Sequence, residues 1–154
     1  MSDQTATPPL AAKLREIVVR GSAQGFAQEI TVAGHRLVVD EPTAFGGSDT
    51  GPSPYDLLVS ALGACTSMTV SLYARRKQWP LDAVTVRLRH SKIHAIDCAE
   101  CDMKSGMVDG IERDVELHGD DLTSEQRAQL LEMANRCPVH KTLTSEINIR
   151  TRLV

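Results

Sequence analysis

At 154 residues, 42% apolar and 24% charged, the chain is long enough for one domain with a real core and too short to be comfortably two. Only two Phe, two Tyr and one Trp are present, so the core must be aliphatic, and platforms for stacking nucleic-acid bases are not expected. A net charge of −3 and a pI near 5.9 lack the basic face of a phosphate-backbone binder, which excludes nucleic acid as the expected partner.

Residues 1–15, with Thr7-Pro8-Pro9, show no clean period and are expected to form a flexible N-terminal arm, leaving residues 16–154 as a single domain. No stretch approaches the roughly 18 apolar residues of a spanning helix. The start Met1-Ser2-Asp3-Gln4-Thr5 lacks the basic and apolar regions of a signal peptide. No membrane partner is expected, and the expected compartment is the cytoplasm.

Glu16-Ile17-Val18-Val19-Arg20 reads as a strand, and Phe26, Gln28, Ile30 and Val32 alternate with Ala27, Glu29 and Thr31. A short turn at Ala33-Gly34 leads into His35-Arg36-Leu37-Val38-Val39-Asp40, which predicts an antiparallel meander. The Pro- and Gly-rich segment from Glu41 to Ser53 must be loop. It ends in a helix start: Ser53 suits the cap, Pro54 the first helical position, and Asp56 the positive end of the helix dipole. Leu58, Leu62, Cys65, Thr69 and Leu72 then recur at spacings of four, three, four and three, ending near Arg75-Arg76-Lys77. This predicts a central, mostly buried helix over 54–77, whose basic end is a solvated C-terminus.

After Trp79-Pro80, Val84, Val86 and Leu88 alternate with Thr85, Arg87 and Arg89, while Ile111, Arg113, Val115 and Leu117 alternate with Glu112, Asp114 and Glu116. The facing charges are opposite in sign, which favours pairing of these two strands. Thr123 with Gln126 offers a capping box for a helix running to about Arg136, and Pro138 begins a further helical turn. Ile147, Ile149, Thr151 and Leu153 read as a closing strand. The order β-β-β-α-β-β-α-β is an α+β architecture with no Rossmann or P-loop glycine pattern.

Four cysteines do not suggest a disulfide scaffold, and in a reducing compartment they point to catalysis, redox sensing or metal binding. Cys65 lies eleven residues past Pro54, beyond the reach of the helix N-terminus, and is desolvated by Leu62, Met68 and Leu72. Burial alone makes a thiol inert, so a reactive Cys65 needs a cation from elsewhere in the fold or from a second subunit. Arg20 and Arg36, on the N-terminal strands, are the first candidates. Cys137 directly precedes Pro138 and is placed to cap the turn Pro138 to Leu143, where unpaired N–H groups stabilise a thiolate. His140 can orient a sulfur or a proton beside it. Two such cysteines on separate helices fit a peroxide-reducing pair, in which the first thiolate becomes a sulfenic acid and the second condenses with it to a disulfide. An external dithiol then restores both.

The stretch Gly51-Pro52-Ser53-Pro54-Tyr55-Asp56-Leu57-Leu58, leading to Ala61-Leu62-Gly63-Ala64-Cys65, together with Cys137-Pro138-Val139-His140-Lys141-Thr142-Leu143, resembles the osmotically inducible protein C and organic hydroperoxide resistance (OsmC/Ohr) superfamily over residues 16–154. The resemblance implies an OsmC-like α+β fold, with antiparallel sheets around a long central helix, in an intertwined homodimer whose active sites lie at the subunit interface. It implies thiol-dependent reduction of organic hydroperoxides with an external dithiol as reductant and no cofactor. It assigns Cys65 as the peroxidatic and Cys137 as the resolving cysteine. Many hydroperoxide-resistance members carry a glutamate just after the helix-starting proline, in a salt bridge with the catalytic arginine. Here Tyr55 stands at that position, followed by Asp56. The alternative is a redox-sensing or apolar-ligand-binding protein of the same fold, without turnover.

His94-Ala95-Ile96-Asp97-Cys98-Ala99-Glu100-Cys101-Asp102 is a separate feature between the two central strands. His94, Cys98 and Cys101 can supply three zinc ligands, with Asp97, Asp102 or His90 as a fourth. Cys98 and Cys101 can instead form a redox pair feeding the main one, or simply sit in a loop. A single CxxC in acidic surroundings is a weak metal signal, so no metal is expected.

Overall fold

The computed structural model describes residues 15–154, so the expected N-terminal arm lies outside the described residues save for Arg15. The chain divides after Pro54 into two compact units.

The first unit is an antiparallel sheet of β1 (Ile17–Gly21), β2 (Gln28–Val32) and β3 (His35–Val39), in that order. Ala33 and Gly34 join β2 to β3 with φ of 49° and 84°. A two-residue turn of this kind needs left-handed backbone at both positions to match the strand twist; Gly34 adopts it freely and Ala33 does so under strain. The register aligns Val19, Ile30 and Leu37 across the sheet, and places Arg20 opposite Glu29. Asp40 follows β3 and is buried. Its carboxylate accepts the Glu41 N–H at 2.8 Å, the Ser48 and Thr50 N–H groups at 3.1 and 3.2 Å, and the Thr50 hydroxyl at 2.8 Å. One side chain therefore organises the predicted loop, and the Thr50 hydroxyl leads the backbone donors in holding its pKa below the usual carboxylate range.

The second unit contains α1 (Pro54–Lys77), β4 (Ala83–His94), β5 (Met107–His118), α2 (Ser124–Ala134) and α3 (Pro138–Leu143). β4 and β5 form a long antiparallel hairpin pairing Val86 with Val115, Leu88 with Arg113 and Arg89 with Glu112. The pairing expected from opposite charges is present: Arg87 meets Glu116, and Arg89 bridges Glu112 and Asp114. These pairs are exposed and contribute little stability each.

The helix spans 54–77 as expected, but it is not mostly buried and its buried stripe differs from the expected one. Leu62, Thr66, Val70 and Ala74, four apart, are buried with Gly63, while Leu58 and Leu72 are exposed at 41% and 42%. The face toward the hairpin is built of small residues because the approach is close; a Cβ at Gly63 would lie 2.6 Å from Leu88 Cδ1. A large side chain at position 63 would hold the helix off the sheet, so counting apolar residues without their size selects the wrong face. By length and composition α1 is also apolar enough to cross a membrane, which corrects the expectation that no segment approaches that length.

Val70 and Ala74 pack with Leu122, Leu130 and Ala134 into the core of this unit, flanked by Tyr73, Trp79, Val84, Val115 and Leu117. The capping box of α2 is formed, with Thr123 Oγ1 accepting the Gln126 N–H and Gln126 Oε1 accepting the Thr123 N–H. The closing strand expected over 147–153 is not formed. The segment alternates correctly, but a strand exists only where a neighbour completes its ladder, and Ile147 and Ile149 stay exposed at 53% and 83%.

Candidate active site

Three elements of the second unit converge on Cys137. As expected from Pro138 at the first helical position, Cys137 is the N-cap of α3, with extended backbone (φ −65°, ψ 141°) and its sulfur accepting the His140 N–H at 3.2 Å. The residue is fully buried. From α1, Thr66 brings its hydroxyl to 3.8 Å from the sulfur, and Cys65, one residue earlier and only partly buried, lies close enough to help lower the Cys137 pKa. The structure thus brings the two predicted cysteines together.

The third element is β5, which contributes Arg113. Its Nη1 donates to Thr66 Oγ1 at 2.9 Å and to the Ala134 carbonyl at 3.2 Å, and its Nη2 to Asn135 Oδ1 at 2.8 Å and to His140 Nδ1 at 3.5 Å. A guanidinium only donates, so Nδ1 must be an acceptor and the neutral His140 ring carries its proton on Nε2. Burial first, then the positive charge of Arg113, lowers the His140 pKa and keeps the ring neutral.

Opposing effects act on Cys137. Burial pushes its thiol up, whereas the His140 N–H, the Thr66 hydroxyl, the Cys65 thiol and the Arg113 charge pull it down. The balance falls below the ordinary cysteine value, so Cys137 is a thiol prepared for ionisation despite full burial. Sequence reasoning missed Arg113. Its signal was present: Arg113 shares its strand face with Ile111, Val115 and Leu117, and a charge on the apolar side of a strand needs a buried partner.

Beside the site lies a cavity of about 420 Å³, lined by Leu62, Ile111 and Leu143 on one side and by Asp109, Arg113 and His140 on the other. Asp109 pairs with Lys92 and His90, each at 2.9 Å, and these hold its carboxyl below the usual range. His90 in turn stacks on Tyr55, with ring centroids 4.3 Å apart.

The activating candidates from the sequence lie in the first unit. Arg36 forms an exposed ion pair with Glu29, and Arg20 is an exposed residue opposite Glu29 in the register. Cys98 and Cys101 form a disulfide at the tip of the β4–β5 hairpin, with Cα atoms 5.4 Å apart. Among the described residues, no group of three or more His, Cys, Asp or Glu side chains is placed to hold a metal ion. The three-ligand zinc alternative at His94, Cys98 and Cys101 is therefore replaced by a covalent cross-link.

A family model described as "OsmC-like protein" matches residues 46–152. Among solved structures, the chain is similar to an OsmC like protein from Mycoplasma pneumoniae, at 20% identity and TM-score 0.66, with 86% of this chain and 89% of that one covered. It is similar to the organic hydroperoxide resistance protein OhrB of Bacillus subtilis, at 22% identity and TM-score 0.59, covering 85% and 90%. A third likeness is to an organic hydroperoxide resistance protein OsmC from Legionella pneumophila, at 17% identity and TM-score 0.64, covering 88% and 92%. At these identities the likeness is one of fold. No curated protein sequence matches the chain.

Proposed function

The chain belongs to the OsmC-like protein family, and from that premise we propose that it is a thiol-dependent peroxidase reducing organic hydroperoxides, with Cys65 attacking and Cys137 resolving. The observation that carries this reading is the difference between the two neighbouring sulfurs: Cys65 is partly open, while Cys137 is fully buried and held by donors. A peroxide reaches the open sulfur first. The Cys65 thiolate attacks the terminal oxygen of ROOH, the O–O bond breaks, and the alkoxide takes a proton and leaves as ROH, so Cys65 becomes a sulfenic acid. The Cys137 thiolate then attacks the Cys65 sulfur, an S–S bond forms, and hydroxide leaves as water on taking a proton. An external dithiol returns both cysteines to thiols and becomes a disulfide itself.

The names of two structural neighbours as organic hydroperoxide resistance proteins support the substrate class. The compartment proposed is the cytoplasm. An intertwined homodimer accounts for the exposed Tyr55, Met68 and Leu72 on α1, at 48%, 70% and 42%. Arg20 and Arg36 are the candidates proposed for the cation that activates Cys65. A second reading, a dithiol that senses redox state or holds an apolar ligand without turnover, is favoured by the convergence of donors on Cys137 rather than Cys65.

Peptide mapping after a stoichiometric dose of cumene hydroperoxide tests the proposal. It requires a Cys65–Cys137 disulfide and release of the corresponding alcohol. Free thiols with intact hydroperoxide would favour the second reading.

A further inference from the structure

The Thr66 hydroxyl has one proton and three neighbours. Arg113 Nη1 donates to its oxygen at 2.9 Å, the Leu62 carbonyl lies 2.7 Å away, and the Cys137 sulfur 3.8 Å away. A hydroxyl donates one hydrogen bond and accepts two. With Arg113 on one lone pair, two arrangements remain. When Cys137 is a thiol, its S–H donates to the free lone pair of Thr66 and the hydroxyl proton points to the Leu62 carbonyl. When Cys137 is a thiolate it only accepts, so the hydroxyl must turn away from Leu62 and donate to sulfur.

We propose that Thr66, fixed by Arg113, is a positioning residue whose hydroxyl turns between the Leu62 carbonyl and the Cys137 sulfur, and so sets how readily Cys137 ionises. This rests on the reading of Cys137 as resolving cysteine. That role requires its thiolate twice, as the nucleophile that closes the disulfide and as the leaving group when an external dithiol opens it at Cys65. A lower leaving-group pKa speeds the second step. Arg113 serves both arrangements: it stays on the Thr66 oxygen throughout and polarises the hydroxyl, making it a stronger donor. The titratable and charged groups facing Cys137 are Cys65 from α1, Arg113 from β5 and His140 from α3. Of these Arg113 contributes its positive charge, and His140 contributes through its backbone N–H.

The chemistry is balanced without a co-reactant. Ionisation moves the Cys137 proton to solvent, the Thr66 hydroxyl rotates, and the Leu62 carbonyl retains its helical backbone role. Thr66 itself is never deprotonated.

The test uses the full chain carrying Cys65→Ser, so that Cys137 is the remaining free thiol, and follows thiolate absorbance at 240 nm against pH with no peroxide present. Thr66→Val should raise the midpoint by about one pH unit, a tenfold loss of thiolate at fixed pH, the scale expected for losing a hydrogen bond to a charged group. Thr66→Ser should restore it. An unmoved midpoint in folded Thr66→Val, or a Thr66→Ser protein shifted as far as the valine variant, overturns the proposal. If Thr66→Val fails to fold, the infrared S–H stretch of the Cys65→Ser protein decides instead. It should show a donated hydrogen bond that disappears in Thr66→Ala, and an S–H band unchanged by that substitution overturns the proposal equally. A midpoint that responds to Thr66, found together with no hydroperoxide consumption by the parent chain that keeps Cys65, would refute the peroxidase reading and leave the hydroxyl switch standing.

Discussion

The backbone N–H of His140 donates to the Cys137 sulfur at 3.2 Å, so a cysteine does at the start of α3 what Ser, Thr or Asp does at most helix starts. The same bond caps a helix and steadies a thiolate. Cys137→Ser keeps an acceptor in place and should be more stable than Cys137→Ala by about 1 kcal/mol, the usual contribution of a cap. Thermal unfolding of the two variants checks this, and equal midpoints would show that the sulfur is not acting as a cap.

Arg113 joins α1, the end of α2 and α3 through Thr66, the Ala134 carbonyl, Asn135 and His140. Its removal has an electrostatic signature distinct from general loss of packing. In Arg113→Met the positive charge beside His140 is gone, so the imidazole pKa should rise toward its ordinary value, while Arg113→Lys should keep most of the depression. Proton NMR titration of the His140 ring reads this directly. Because the folded pKa is depressed, the wild-type stabilisation from neutral His140 is present above about pH 6.5 and lost as pH falls toward the folded value. Arg113→Met should flatten that dependence.

Much of this was legible in the sequence, for reasons that differ by element. Pro138 after Cys137, and Thr123 with Gln126, are local signals whose outcome depends on backbone groups a few residues away, and both caps formed as expected. The β4–β5 pairing was legible from charge complementarity. The buried face of α1 was not, because Gly63 and Ala74 carry little hydrophobicity; they are buried for their small size against Leu88 and the core. Residues 147–153 have a strand's alternation but no neighbouring strand among the described residues, and periodicity cannot supply one. Arg113 was visible as a charge on an apolar strand face, yet its partners come from three different elements, which no spacing along the chain reveals.

Asp40 gives the first unit its pH dependence. Its carboxyl is held below its ordinary value by the Thr50 hydroxyl and the N–H groups of Thr50, Glu41 and Ser48. The folded chain therefore binds this proton only at lower pH than the unfolded chain does. The stabilisation is complete above the ordinary carboxylate range, about pH 4, and is lost as pH falls through the folded value. Hydrogen exchange at the Ser48 and Thr50 amides should accelerate in that acid window relative to the β2–β3 amides, and Asp40→Ala should show the acceleration already at neutral pH.

Close approach at Gly63 sets a steric test in the second unit. Gly63→Val places branched atoms where a Cβ alone would already meet Leu88 Cδ1 at 2.6 Å, and should cost about 1–3 kcal/mol as overpacking. Gly63→Ala should be nearly neutral, since the leucine tip can swing aside and alanine is the better helix former by about 1 kcal/mol. Leu130→Ala, at a fully buried position, should cost about 3 kcal/mol. Denaturant midpoints at constant m-value distinguish these outcomes.

The most direct test of the central claim is consumption of cumene hydroperoxide by the wild-type chain, Cys65→Ser and Cys137→Ser, with a dithiol reductant in excess. Sustained consumption by wild type, none by Cys65→Ser, and, with the dithiol left out, a single stoichiometric turnover in Cys137→Ser are the expected results. Unchanged consumption by Cys65→Ser would contradict the assignment of Cys65 as the attacking thiol, and with it the proposed function.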